Sequence, residues 1–108
     1  MVIIYILQCQ NGKYYVGKTD DLATRLQKHF EGHGSIWTQR YRPIRVVNTY
    51  SCYTSFDEDK FTKIYMKKYG IQNVRGGSYT QMKISSTQKH ILQHEIKGAS
   101  NACYQCGQ

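Results

Sequence analysis

The sequence predicts an α+β fold with the element order β-β-α-β-α-α. A small mixed three-stranded sheet begins with a β-hairpin and is flanked by helices. Two kinds of signal carry this prediction. Runs of Ile, Val and Tyr between turn residues indicate strands, and capping residues followed by apolar residues at helical spacing indicate helices. The length of 108 residues corresponds to one domain with a modest core.

Three strands are predicted. Val2–Gln8 is rich in isoleucine, Asn11-Gly12 is a strong turn signal, and Lys13–Lys18 returns as the second strand of the hairpin. A third strand is predicted at Ile44–Tyr50, directly after Pro43, which is the only proline. Residues 73–78 contain two adjacent glycines and are predicted to form a tight turn or loop.

Three helices are predicted at residues 21–31, 55–69 and 86–97. Gly70 is predicted to end the second helix and Gly98 to end the third. A capping box that begins at Ser85 marks the start of the third helix. Residues 32–43 are predicted to be an ordered loop that holds Trp37. Apolar residues at helical spacing predict the inward faces, in chain order: Leu22, Leu26 and Phe30; Phe61, Ile64 and Tyr65; Ile91, Leu92 and Ile96.

The charge of the chain points to an anionic partner. Fifteen Lys and Arg residues face seven Asp and Glu residues, which gives a net charge of +8. Nucleic acid is the favoured partner and a membrane surface is the second. No apolar run is long enough to span a membrane and no secretory leader is recognisable, so the sequence predicts an intracellular protein. No protein partner is inferred, and we expect a monomer or weak dimer.

Four cysteines are present, and without a secretory signal they do not indicate a disulfide framework. Cys103 and Cys106 have the spacing of the first half of a zinc site. Zinc needs four ligands, and no Cys or His follows Cys106. The sequence therefore predicts two free thiols, and a zinc knuckle only in a longer chain.

Several short motifs in order resemble the signature of the GIY-YIG nucleases. They are Ile3-Ile4-Tyr5, Tyr15-Val16-Gly17, Arg25 on the next helix, Glu58 at the start of the following helix, and Asn73. The resemblance covers residues 2–75, with Ile3 at the place where the family name has glycine. Residues 69–79 are also similar to a subgroup of large DNA viruses that often ends in a zinc knuckle. The resemblance implies a nuclease domain at residues 1–98, followed by a tail at 99–108. It also implies a protein that acts in the nucleus or cytoplasm, for a viral member in the infected cell.

The resemblance also implies an active site and a DNA substrate. Tyr5, Tyr15, Lys18, Arg25, His29 and Glu58 are the expected catalytic residues, and Gly17, Lys18, Arg25, Arg40 and Arg42 the expected DNA contacts. Glu58 would bind one Mg²⁺ or Mn²⁺ ion, since a single carboxylate with waters and phosphate suits such ions. Tyr15 would be the general base, and the charge of Lys18 beside it would lower its pKa. Arg25 would stabilise the transition state, and Asn73 would anchor the hairpin or loop.

The hairpin turn tests this site, because the two tyrosines act together only if they share a face. A two-residue turn pairs Tyr5 with Lys18 and puts Tyr15 on the opposite face. A three-residue loop, Gln10–Gly12, pairs Tyr5 with Gly17 and puts both tyrosines on one face. The function therefore predicts the three-residue loop.

Alternatives stay open from the sequence. Asp57 competes with Glu58 as the metal ligand. A basic, tyrosine-rich domain of this fold can also be a nucleic-acid-binding module without catalysis, and the loss of glycine at position 3 favours that interpretation. A zinc-dependent interaction domain is a third interpretation and depends on one CxxC motif.

Overall fold

A mixed four-stranded sheet forms the centre of the protein. The computed structural model describes the backbone of residues 1–105 and the side chains of residues 1–96. The strands are β1 (Ile3–Cys9), β2 (Tyr14–Thr19), β3 (Pro43–Ser51) and β4 (Val74–Gly76), in the spatial order β3-β1-β2-β4. β1 runs antiparallel to β2 and β3, whereas β2 and β4 are parallel. The predicted α+β class is confirmed.

The predicted strand count of three was wrong, because the expected loop at residues 73–78 contains β4. This strand has only three residues, too few to show an alternating pattern, and the glycine pair Gly76-Gly77 at its end signals a turn. Val74, Arg75 and Gly76 are all buried. Gly76 has a φ of 155° and lies against the backbone of Val16, where any Cβ would overlap the Val16 carbonyl oxygen.

The helices are α1 (Leu22–Phe30), α2 (Ile36–Arg40), α3 (Asp57–Tyr69) and α4 (Ser86–Gln105). α2 lies inside the predicted loop, and it begins at the cap residue Ser35, whose hydroxyl accepts from the Thr38 N–H. α4 continues through Gly98, so the predicted end of that helix was wrong. Helical glycine is only about 1 kcal/mol less favourable than alanine, so one glycine need not end a helix. Among the described residues, no helix is long and apolar enough to cross a membrane.

The sheet separates two apolar clusters. On one face Ile4, Ile6 and Val16 pack against α3 and α4, and on the other Tyr5, Leu7 and Cys9 pack against α1. Three residues predicted to point inward are instead exposed: Phe30 by 40%, Ile64 by 39% and Ile91 by 52%. Neighbouring His29, Thr62 and Leu92 take the buried positions, the first two because they find hydrogen-bond partners there.

The three-residue hairpin loop is confirmed. Gln10–Gly12 forms a single turn in which Asn11 and Gly12 adopt left-handed conformations, with φ of 62° and 71°. Such conformations suit Asn and Gly, which is why Asn11-Gly12 is a turn signal. The register pairs Tyr5 with Gly17, and Tyr5 and Tyr15 therefore share one face of the sheet.

Candidate active site

Tyr5 lies at the centre of the α1 side of the sheet. Its side chain is 1% exposed, and its ring lies directly over Gly17. A Cβ at position 17 would overlap the phenol ring. The glycine is therefore required by this tyrosine, whose ring occupies the space above the backbone.

His29 joins Tyr5 to α2 through a chain of hydrogen bonds. Its Nε2 is 2.8 Å from the Tyr5 hydroxyl, and its Nδ1 is 2.9 Å from Thr38 Oγ1. Thr38 Oγ1 donates to the Ser35 carbonyl at 3.1 Å, so it accepts from His29. His29 thus carries its proton on Nδ1, and Nε2 accepts the proton of the Tyr5 hydroxyl. The oxygen of Tyr5 is left to accept a further hydrogen bond.

Tyr15 completes an aromatic cluster with these two residues. Its ring centroid lies 6.4 Å from that of Tyr5 and 5.2 Å from that of His29. Burial and the negative charge of Glu58 raise the pKa of Tyr15, against smaller opposing effects of a hydrogen bond from Ser35 and the charge of Arg25. Tyr15 is therefore a neutral hydroxyl at neutral pH.

The other two members of the cluster are also neutral. Burial, followed by the neighbouring Tyr15, raises the pKa of Tyr5. Burial, followed by the charge of Arg25, lowers the pKa of His29 to about 4. Two phenols and an imidazole thus form an uncharged site, and charge comes only from residues at its rim.

Glu58 and two cations supply that charge. Glu58 lies in the first turn of α3 and is half-buried. Burial raises the pKa of this carboxyl, and the charges of Lys18 and Arg25 lower it. Arg25 also acts on both tyrosines. The structure therefore brings Tyr5, Tyr15, Arg25, His29 and Glu58 into one electrostatic neighbourhood.

Lys18 is part of the same electrostatic neighbourhood, but it interacts with Glu58 rather than with Tyr15, the expected partner. Side chains alternate along β2, so Tyr15 and Gly17 face α1 while Val16 and Lys18 face α3. Lys18 acts on Glu58, and the pKa of Tyr15 is raised. The expectation that Lys18 lowers the pKa of Tyr15 was wrong, because three positions along a strand reverse the side-chain direction.

The two carboxylates beside Glu58 have structural partners. Asp57 accepts from the backbone N–H of Tyr53 at 2.7 Å and of Thr54 at 3.1 Å, and from the Thr54 hydroxyl. Asp59 accepts from the Ser78 N–H at 2.7 Å and from its hydroxyl at 2.9 Å. Each of them fixes a loop, whereas Glu58 accepts a backbone hydrogen bond from Gly77 and also interacts with the charges of Lys18 and Arg25.

Two residues hold the hairpin and β4 from outside the site. Asn73 accepts from Lys13 Nζ at 2.7 Å and donates to the Tyr69 carbonyl at 2.8 Å, which is the predicted anchoring of the hairpin. Arg75 is 1% exposed, donates to four backbone carbonyls, and stacks 4.5 Å from the Trp37 ring. Sequence reasoning missed Arg75 and Ser35, because neither a buried Arg nor a serine in a loop has a distinctive pattern.

The remaining predicted residues lie apart from the aromatic cluster. Arg40, the last residue of α2, and Arg42, just after it, are both exposed. Arg40 lies 5.8 Å from the Tyr41 ring, and Arg42 donates to the Phe30 carbonyl. The side chain of Cys103 and the whole of Cys106 lie outside the described residues.

The residues fit a site for one hard divalent cation rather than a closed metal cage. The described part of the chain contains no group of three or more His, Cys, Asp and Glu side chains that could share an ion. Glu58 offers one carboxylate, and Mg²⁺ commonly takes one or two carboxylates with water and substrate phosphate as its other ligands.

The comparison with protein families agrees with this geometry. The model of the GIY-YIG catalytic domain matches residues 1–97. The chain belongs to the GIY-YIG family. Domains of this family are generally nucleases that act on nucleic acid and depend on a divalent metal.

Curated relatives are similar to this GIY-YIG chain over different lengths. A UPF0213 protein of Halalkalibacterium halodurans is 32% identical over 91 residues, covering 78% of this chain and 96% of the relative. A UPF0213 protein of Xanthomonas campestris is 43% identical over 44 residues, which cover 41% of this chain and 43% of that relative. No solved structure matches the chain.

Proposed function

We propose that this GIY-YIG domain is a divalent-metal-dependent endonuclease that hydrolyses phosphodiester bonds in DNA. One observation carries the proposal: Tyr5 and His29 are hydrogen-bonded, the Tyr15 ring packs against both at tilted angles, and Arg25 and Glu58 bring opposite charges to this cluster. Neutral groups that orient water, with a cation and a carboxylate beside them, suit attack on a phosphodiester. The net charge of +8 favours a polyanionic substrate.

Each side chain has a specific task in this reaction. Tyr5 and His29, which are joined by a hydrogen bond, would position the phosphate or the attacking water. Tyr15 is a neutral hydroxyl because its pKa is raised, so it would take up the proton of the attacking water only as its own proton passes to solvent. Arg25 stabilises the added negative charge of the transition state.

Glu58 is the residue that would hold Mg²⁺ or Mn²⁺, with Lys18 beside it to position the phosphate. The bound ion would polarise the phosphate and stabilise the leaving oxygen. Asp57 is a poorer ligand, because both of its oxygens accept hydrogen bonds from the Tyr53-Thr54 loop. Gly17, Arg40 and Arg42 would lie along the DNA, with the nuclease domain ending near residue 98.

Plasmid nicking with Mg²⁺ or Mn²⁺ tests the proposal. Arg25→Ala and Glu58→Ala should each lower the rate by roughly 10²–10³, the usual cost of an electrostatic catalytic group. Arg45→Ala is the matched control, since Arg45 is an exposed arginine on β3 that donates to Gln8 of β1. Full activity in both site variants would contradict the proposal. Retained cleavage in Glu58→Gln with none in Asp57→Asn would move the metal to Asp57.

The second candidate is a DNA-binding module that does not cut. Ile3, in place of the family's glycine, is the observation in its favour, yet Ile3 is paired normally with Thr19 and Ser51. The intact strand keeps Tyr5 in place. DNA binding by the wild type with no nicking under either metal would establish this candidate instead. A viral source and a zinc knuckle beyond Gln108 are finer hypotheses, which a longer sequence and its zinc content would test.

A further inference from the structure

A cleft of about 410 Å³ lies between the end of β3 and the first turns of α3, and the reaction proposed above does not use it. Its volume is within the ~300–1,000 Å³ that is usual for small-molecule sites. Three aromatic rings, one cation and one carboxylate line it, together with a serine: Tyr50, Tyr53, Phe61, Lys60, Asp57 and Ser51.

The floor of the cleft is a fixed aromatic platform. Tyr50 and Phe61 are stacked, with centroids 4.2 Å apart and an interplanar angle of 17°. The Tyr50 hydroxyl is held by Tyr65 at 2.8 Å and by Asn48 at 2.9 Å. Lys60 Nζ lies 5.5 Å from the Phe61 centroid, so a positive charge stands beside the platform.

The wall of the cleft is Tyr53, whose side chain is 85% exposed. Asp57 binds the backbone N–H groups of Tyr53 and Thr54, which fixes the loop that carries this ring. A large aromatic side chain that is exposed on a pre-ordered loop offers its face to a ligand at a low entropic cost.

We propose that this cleft binds an unpaired nucleobase of the DNA substrate. The inference rests on the proposed function, which supplies the DNA. Aromatic side chains stack on any base, and Lys60 suits the phosphate beside it. Bases within a duplex are stacked and paired and cannot reach such a cleft. The substrate is therefore DNA with a single-stranded segment that reaches this cleft, such as a flap.

The test compares the equilibrium binding of two DNAs in the presence of EDTA, which prevents cleavage. One is a fully paired duplex, and the other carries a single-stranded flap with 2-aminopurine as its first unpaired base. The wild type should bind the flap DNA more tightly and change the 2-aminopurine fluorescence. Tyr53→Ala should weaken flap binding by roughly 5- to 100-fold and leave duplex binding unchanged, since one stacking contact is lost.

Two control variants accompany Tyr53→Ala. Tyr53→Phe keeps the ring and should keep the flap preference. Ile36→Ala removes an apolar side chain on α2 that is 66% exposed and should change neither affinity. Equal losses on both DNAs in Tyr53→Ala, or a wild type without flap preference, would overturn the inference.

Cleavage is measured separately on the same proteins. If the protein prefers flap DNA through Tyr53 but nicks no DNA, the result would support base binding in the cleft and refute the proposed hydrolysis. If the protein nicks DNA but has no preference for flap DNA, the result would refute base binding in the cleft and support the proposed hydrolysis.

Discussion

Acid should destabilise the protein through His29, the buried histidine of the aromatic cluster. Its pKa is about 4 in the folded protein against an ordinary 6.5, so the unfolded chain binds a proton there first as pH falls. Stability is therefore lost as pH decreases between these two values. At about 1.36 kcal/mol for each tenfold difference in proton affinity, the full loss approaches about 3 kcal/mol, of which about 2 kcal/mol is lost by pH 5.

The assay is urea unfolding of the wild type and His29→Gln between pH 7 and pH 5. Glutamine can replace the hydrogen bonds to Tyr5 and Thr38 but does not titrate, so its stability should fall less over this range. The raised pKa of Glu58 acts in the opposite direction and is common to both proteins, so the difference in slope isolates His29. His94→Gln is the control, because His94 lies exposed on α4. Parallel pH profiles for wild type and His29→Gln would refute the reasoning.

Three further variants test the geometry of the site. Gly17→Ala should lower stability by about 1–3 kcal/mol and reduce nicking, because its methyl group would displace the Tyr5 ring; an unchanged melting temperature and rate would contradict the close approach. Thr38→Val should destabilise by about 1–3 kcal/mol through the lost acceptor for His29, while Thr38→Ser should be milder; equal unfolding midpoints for the two would exclude the hydroxyl as the cause. Arg75→Met should cost at least about 3 kcal/mol in urea unfolding because buried carbonyls lose their donors, and a cost below 1 kcal/mol would make those bonds unimportant.

Local chemistry explains which parts of the fold the sequence could predict. Asn11-Gly12 determined the turn, because both residues take left-handed conformations there, and the turn determined that Tyr5 and Tyr15 share a face. The predicted helix at residues 21–31 was also found as α1, whose first turn Asp21 caps by accepting from the Thr24 N–H. These features depend on residues that are close together in the sequence.

Features that depend on distant contacts could not be predicted in this way. β4 exists because residues 74–76 pair with β2, some sixty positions earlier. The burial of His29 depends on hydrogen bonds to Tyr5 and Thr38 from two other elements. The interaction of Lys18 with Glu58 depends on where α3 packs, as well as on the alternation of side chains along β2, and the sequence alone does not give the position of α3.

The separation of the two apolar clusters by the sheet has a consequence for when the proposed active site is complete. Tyr5, Tyr15 and His29 are ordered by the α1 side, whereas Glu58 is delivered by α3 from the other side. A nascent or partly unfolded chain that has assembled only one side therefore lacks either the ordered Tyr5, Tyr15 and His29 cluster or a correctly placed Glu58. Under the proposed function, such a chain would be harmless to the DNA around it until folding is complete.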